Sequence, residues 1–144
     1  VFQPRALLMG DVLILPDFPP NIAAIRAVFP LTGDEIFAYD NVIYNPSNQR
    51  LPESLIEHEK VHFKQHEKIG GSKDWWDLYL VDEDFRLEQE LAAHRKEYQV
   101  ICRTVRGKRE RYRFLDLLAK RLSAPMYGRV VTYQWAMVQI KRRH

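Results

Sequence analysis

The apolar positions of this chain change rhythm along its length. In the first 20 residues they are interrupted by prolines and a glycine, and only "DVLIL", residues 11 to 15, reads as a short strand in a stretch expected to wrap the surface. "NIAAIRAVF", residues 21 to 29, opens on an Asn in a cap position and runs apolar at helical spacing until Pro30 stops it. "EIFAYDNVIYNP" holds two β-rich runs around Asp40-Asn41, the pattern of a hairpin, and Pro46 ends its second strand. Helical spacing then takes over. Pro52 suits the first position of a helix and Gly70-Gly71 its stop, which bounds the first long helix. The aromatic stretch "SKDWWDLYLVDED" reads as a loop or short helix packed over the core. A second long helix starts among Asp82 and Asp84, whose carboxylates suit the positive end of a helix, and runs to about Gly107. "KRERYRFLDLLAKRL" gives a third, and after Pro125 "TYQWAMVQIKRR" gives a last helix, capped by Thr132 and basic in its final turn. The expected class is mainly α (α+β), with a small β-hairpin or sheet.

Length and composition narrow this picture modestly. The chain has 144 residues, 46% of them hydrophobic, which suits one domain with a real core. Within residues 1 to 144, residues 1–50 form a strand, helix and hairpin region, 51–107 the central helices and 108–144 a basic helical end. No apolar run approaches the roughly 20 residues of a membrane-spanning helix, so no membrane contact is expected. The N-terminus lacks the order of a secretory signal, and the lone Cys102, read as a small apolar helix residue, excludes an internal disulfide framework. Both fit a cytoplasmic location. The net charge of +3 is unevenly spread: residues 101 to 144 carry 12 Lys and Arg against 2 Asp and Glu. This basic end is either a solvated face with a frayed tail, "KRRH", or a contact for an acidic partner such as nucleic acid.

Candidate chemistry sits on the first long helix. At about 100° per residue, Leu51, Leu55, His58, His62 and Ile69 share a narrow arc, and Ile56, Glu59, Phe63 and His66 continue its side. Glu53, Ser54, Glu57, Lys60, Lys64, Glu67 and Lys68 gather opposite, with Val61 the exception. His58, Glu59 and His62 therefore face the core. Burying two imidazoles and a carboxylate is costly unless they are paired or bind a metal. The competing reading is two core histidines hydrogen-bonded to backbone or to Glu59. Residues four apart stand one turn above each other, so both imidazoles can reach one tetrahedral Zn²⁺ at about 2.0 to 2.1 Å. Glu59 in this His58-Glu59-x-x-His62 pattern then stands beside the open coordination position, placed to act as general base toward the attacking water.

A third ligand is required. His66 lies roughly 12 Å along the helix from His58, too far for a shared ion, and is expected in a supporting or surface position. A histidine after a glycine turn is missing, because "FKQHEK" follows His62. An acidic residue from the second long helix is the remaining source. Glu90 shares its side with Leu87, Ala93, His94, Glu97 and Ile101, whereas Glu88 points toward Arg95 and Gln99. The small pair Ala92-Ala93 allows a second helix to approach closely at that level. Glu90 is the first choice and Glu97 the reserve, against the alternative that Glu90 pairs only with Arg86 or His94 on its own helix.

His58-Glu59-x-x-His62 followed by Glu90-Leu91-Ala92-Ala93-His94 resembles the gluzincin zinc metallopeptidases, in which a downstream helix supplies the third ligand. "IYNPSNQRLPESLIEHEKVHFKQH", "FRLEQELAAHRKEY" and "LSAPMYG" are similar to small gluzincin-like proteins of tailed bacteriophages and bacteria, over roughly residues 35 to 140. The resemblance implies a zincin-like helical domain with zinc on His58, His62 and Glu90 and with Glu59 as general base. Membrane-bound members carry Ala-Asp where this chain has Ala93-His94, which gives His94 the task of hydrogen-bonding a ligand or the reacting oxyanion. Tyr98 and Tyr127 are further candidates for that donor. Val42 to Asn45 is expected to offer an exposed strand edge to an extended peptide. Trp75, Trp76 and Tyr79 belong either to the core or to the floor of a cleft. The expected activity is hydrolysis of peptide bonds in a peptide or protein substrate. The alternative is a phage virion or assembly protein of the same fold, virion-associated, that contacts another virion protein or DNA through its basic C-terminal part.

Overall fold

The computed structural model describes residues 6–9, 11–125 and 131–142. In chain order its elements are β1 (Leu7–Met9), β2 (Val12–Leu15), α1 (Ile22–Val28), β3 (Phe37–Tyr39), β4 (Val42–Tyr44), α2 (Glu53–Ile69), α3 (Ser72–Val81), α4 (Glu83–Thr104), α5 (Lys108–Leu122) and α6 (Tyr133–Lys141). The protein is mainly helical with a small four-stranded sheet, and no helix among the described residues is long and apolar enough to cross a membrane.

The sheet is more than the hairpin the sequence announces. Asp40 and Asn41 both take positive φ, 48° and 61°, which the tight turn between β3 and β4 requires and which Asn and Asp tolerate better than most residues. The strand order is β1-β2-β4-β3, with β2 parallel to β4 and the two outer pairs antiparallel. Leu13 lies opposite Val42, Ile14 opposite Ile43 and Leu15 opposite Tyr44. This pairing overturns the expected exposed edge at Val42 to Asn45. β4 is an inner strand, Ile43 is fully buried, and Asn45 donates its backbone N–H to Leu15 O at 2.8 Å. The free edge of this half of the sheet belongs to β3.

α2 is the central element. Pro52 stands just before its first turn, and Gly70 at φ 109° and Gly71 at φ 136° end it, their N–H groups returning to Glu67 O and His66 O. Ile56 packs with Val12, Ile14 and Ile43 of the sheet, flanked by Leu51 and Phe63. The opposite side of α2 lies against α4, its largest helix partner. Because the helix is covered on two sides, Ser54, placed outward by the wheel, is buried as well.

The aromatic stretch after Gly71 is a ten-residue helix, α3. Trp75, Trp76 and Tyr79 join Ile25, Phe29 and Phe37 in a buried cluster between α1, β3 and α3. Asp82 caps α4 by accepting the Phe85 N–H at 3.0 Å, and Thr132 caps α6 by accepting that of Trp135 at 3.0 Å. Asn21 precedes α1 in the cap position, but its side chain makes no cap bond. A third cluster, Leu87, Ile101, Leu115, Leu118, Leu122 and Ile140 among its members, fills the space between α4, α5 and α6. Cys102 is exposed on α4 instead of taking an apolar helix position. Of the basic tail, residues 143 and 144 lie outside the described residues.

Candidate metal centre

The α2–α4 seam brings together the residues that the wheel turns inward on each helix. His58, Glu59 and His62 come from α2, Glu90, His94 and Glu97 from α4, and each is at most 6% exposed. The His62 Nε2 lies 2.9 Å from Glu90 Oε1 and the His58 Nε2 3.8 Å from Glu90 Oε2. In a tetrahedral site with bonds near 2.0 to 2.2 Å, neighbouring donor atoms stand about 3.3 Å apart. The two separations bracket that value, and one donor atom from each of His58, His62 and Glu90 lies within 4.8 Å of the others. Two imidazoles and a carboxylate at this spacing are a chemically suitable set for a divalent transition metal.

The outer faces of the rings are held by partners that leave the inner nitrogens free for a metal. His58 Nδ1–H donates to Glu97 Oε1 at 2.9 Å, and His62 Nδ1–H donates to Gln65 Oε1 at 2.7 Å. These tautomers follow from the acceptors, since an ionised carboxylate has no hydrogen to give. Gln65 is itself fixed by donating to Gln89 O at 3.1 Å, and the Gln89 side chain accepts the Trp75 indole N–H at 2.9 Å. A chain of bonds thus ties the orientation of His62 to α4 and α3. Glu97 also accepts from His94 Nδ1 at 3.1 Å, so one carboxylate orients two rings. His58, His94 and Glu97 form a second group of metal-compatible spacing. Glu97 already receives an N–H from both of its histidines, the arrangement of an anchoring carboxylate that fixes ligand rings. His94 Nε2 is buried without a hydrogen-bond partner and lies 4.0 Å from Glu90 Oε2.

Charge in the metal-free site is distributed accordingly. Burial alone disfavours ionised Glu90, yet the positive charge and hydrogen bond of His62, with His58 and His94 beyond, bring its pKa down to about 2. Burial likewise opposes ionisation of Glu97, and the bonds from His58 and His94 overcome it, again to about 2. For His62, burial disfavours the imidazolium, but Glu90 outweighs it and lifts the pKa to about 9. Burial pushes His58 below its ordinary value, so its ring is held neutral. Glu59 has neither a hydrogen bond nor an ion pair among the described residues. Burial raises its pKa to about 8, with the charges of Glu90 and Glu97 adding to the effect and His62 opposing it.

A cavity of about 370 Å³ reaches this cluster. His58, Glu59, His62, Glu90, His94 and Glu97 line it, and its apolar part is formed by Phe29, Phe37, Trp75, Trp76 and Tyr79. The three aromatic residues of α3 are therefore both core and cavity wall. Trp75 packs against His62 with ring centroids 5.0 Å apart.

The remaining candidates fall elsewhere. His66 is buried, not on the surface, with Nδ1 2.7 Å from Ser72 Oγ and its ring centroid 4.5 Å from that of Trp75. Tyr98 is half-buried against the α4–α6 cluster and does not line the cavity. Tyr127 lies outside the described residues. Gln65 and Gln89 escaped sequence reasoning, because glutamine is common on helix surfaces and nothing local marks these two as supports.

No protein-family model, curated protein or solved structure matches this chain. The geometry of the α2–α4 cluster alone bears on function.

Proposed function

We propose that the protein is a zinc-dependent metallopeptidase with a minimal zincin-like, gluzincin-type site, in which His58, His62 and Glu90 hold the ion and Glu59 is the general base. The observation that carries this reading is the convergence of two imidazoles one turn apart on a carboxylate from another helix, beside a second carboxylate, Glu59, that lines the same cavity. A divalent ion on these ligands would acidify a water and polarise the scissile carbonyl. Glu59, raised to about 8 in the metal-free protein, would be ionised by a dication beside it, and then takes the proton of the attacking water and delivers it to the leaving amine. His94, held by Glu97 through Nδ1, presents Nε2 toward the site, where it accepts from a substrate N–H, or donates to the oxyanion when both ring nitrogens carry hydrogen. The aromatic wall excludes water from the reacting groups.

The test is metal analysis followed by substitution. Zinc should be present in stoichiometric amount, and Glu59→Gln should retain it while lowering peptide hydrolysis at least about a hundredfold, the size of a general-base contribution. Unchanged turnover would reject Glu59 as base.

One observation favours a second reading, that of a phage virion or assembly component binding protein or DNA. On α5 and α6, Tyr112, Leu117, Trp135 and Val138 are exposed on the same pair of helices as Arg109, Arg113, Lys120 and Lys141. Strongly salt-dependent binding to DNA, lost on neutralising these cations, would support it.

A further inference from the structure

We infer that the cavity receives short peptides that end in a free carboxylate, and that Arg121 is the residue that binds this carboxylate. The inference rests on the metallopeptidase reading and names its substrate class. Three observations lead to it. First, Arg121, in the last turn of α5, lines the cavity that holds the His58, His62 and Glu90 cluster, and it is the one Lys or Arg among the described residues to do so. Second, its guanidinium carries no ion pair or hydrogen bond among the described residues, whereas the adjacent Lys120 is held by Asp116 at 2.9 Å. A planar five-donor group left unpaired at the mouth of a cavity suits bidentate capture of a carboxylate.

Third, the strand edge that a long extended chain would use is partly occupied. β4 is an inner strand, and α3 bonds the β3 hairpin at two points: Ala38 O of β3 accepts the Trp76 indole N–H at 3.0 Å, and Asp40 N–H in the following turn donates to Ser72 Oγ at 2.8 Å. Strand addition needs a run of free backbone groups, and on β3 the Ala38 carbonyl is already bonded. A volume of about 370 Å³ is at the small end of ligand cavities, which run from about 300 to 1,000 Å³. The substrate is then a chain end, with apolar side chains against Phe29, Phe37 and Trp76 and its terminal carboxylate on Arg121. The reaction is unchanged: the water oxygen bonds to the scissile carbonyl carbon, the C–N bond breaks, and the amine leaves with the proton carried by Glu59.

The experiment uses the zinc-loaded Glu59→Gln protein and an acetylated tripeptide of apolar residues, prepared as the free acid and as the carboxamide. Calorimetry should show the acid binding at least about tenfold more tightly. Arg121→Gln should remove that difference with zinc content unchanged, and Arg113→Gln, which alters an exposed cation away from the cavity, should leave it in place. Equal affinity for acid and amide, binding of neither, or loss of the preference in both variants would overturn the assignment. Turnover of the same pair by the wild-type protein separates the two levels. An Arg121-dependent preference in binding without hydrolysis sinks the peptidase reading and spares the carboxylate site, and hydrolysis of both peptides at equal rate does the reverse.

Discussion

Loading the metal-free protein with zinc should release protons, and their number follows from the site. At pH 7 an imidazole with a pKa of about 9 retains its proton in all but roughly one molecule in a hundred, so His62 must give up about one proton to become a ligand. His58, already neutral, gives none. Glu59, near 8, is protonated in about nine molecules of ten at pH 7, and a dication beside it favours its ionisation, which adds up to about one proton more. Displacing the His62 proton at pH 7 costs about 3 kcal/mol, two units at 1.36 kcal/mol each, or roughly a hundredfold in apparent affinity relative to pH above 9. Calorimetric titration of zinc in buffers of different ionisation enthalpy reads the count directly. One to two protons per ion are expected for the wild type and about one for Glu59→Gln. Apparent affinity should climb about ten- to a hundredfold per pH unit below 8 and level off above 9. Release of less than about half a proton at pH 7, or an affinity flat between pH 7 and 9, would refute the assignment of His62 as both the imidazolium partner of Glu90 and a metal ligand.

Two further outcomes follow from neighbouring groups. Glu97→Gln removes the ionised acceptor shared by His58 and His94, and chelator competition should show zinc affinity lowered about ten- to a hundredfold; an unchanged constant would remove Glu97 from the support of the site. In the metal-free protein, burial holds the His66 pKa down to about 3, so the unfolded chain takes up the proton first and stability falls as pH drops from 6.5 toward 3. Glu90 and Glu97, depressed to about 2, contribute stability that is present above 4.5 and is lost as pH falls toward 2, whereas Glu59, raised to about 8, contributes stability that grows as pH falls from 8 to 4.5 and so opposes His66 in that range. On acidification from 6.5 to 4.5, thermal melts of His66→Gln should lose less stability than those of the wild type, and parallel curves would show that His66 does not contribute to the acid loss.

The placement of His58, His62 and Glu90 was legible because helical periodicity converts sequence spacing into a direction, and on both long helices the inward direction is unambiguous. The same reasoning left Glu97 as a reserve ligand, since a wheel gives an angle and no distance across the seam; only the docking of α2 on α4 shows that Glu97 meets the outer nitrogen of His58 and Glu90 the inner one. Strand order was not legible at all. β2 and β4 are separated by α1 and a loop, and nothing local in "DVLIL" marks it as the parallel partner of "VIYN". An edge was therefore assigned to the strand that the sheet in fact encloses.

The least legible element, α3, bears on both the seam and the strand edge. Its sequence, "SKDWWDLYLV", lacks a capping side chain and is apolar on most of its circumference, a composition that periodicity cannot separate from a packed loop. Yet its position determines what the site can accept. Trp76 bonds the Ala38 carbonyl of β3 and Ser72 the Asp40 N–H of the following turn, which occupies part of the strand edge, while Trp75 packs against the His62 ring and holds Gln89, the residue whose backbone carbonyl receives Gln65. The same helix that packs against the His62 ring from outside thus also takes up part of the β3 edge. Under the proposed function, selection among substrates then passes in part from backbone pairing to the groups that line the cavity, where Arg121 is the one Lys or Arg among the described residues.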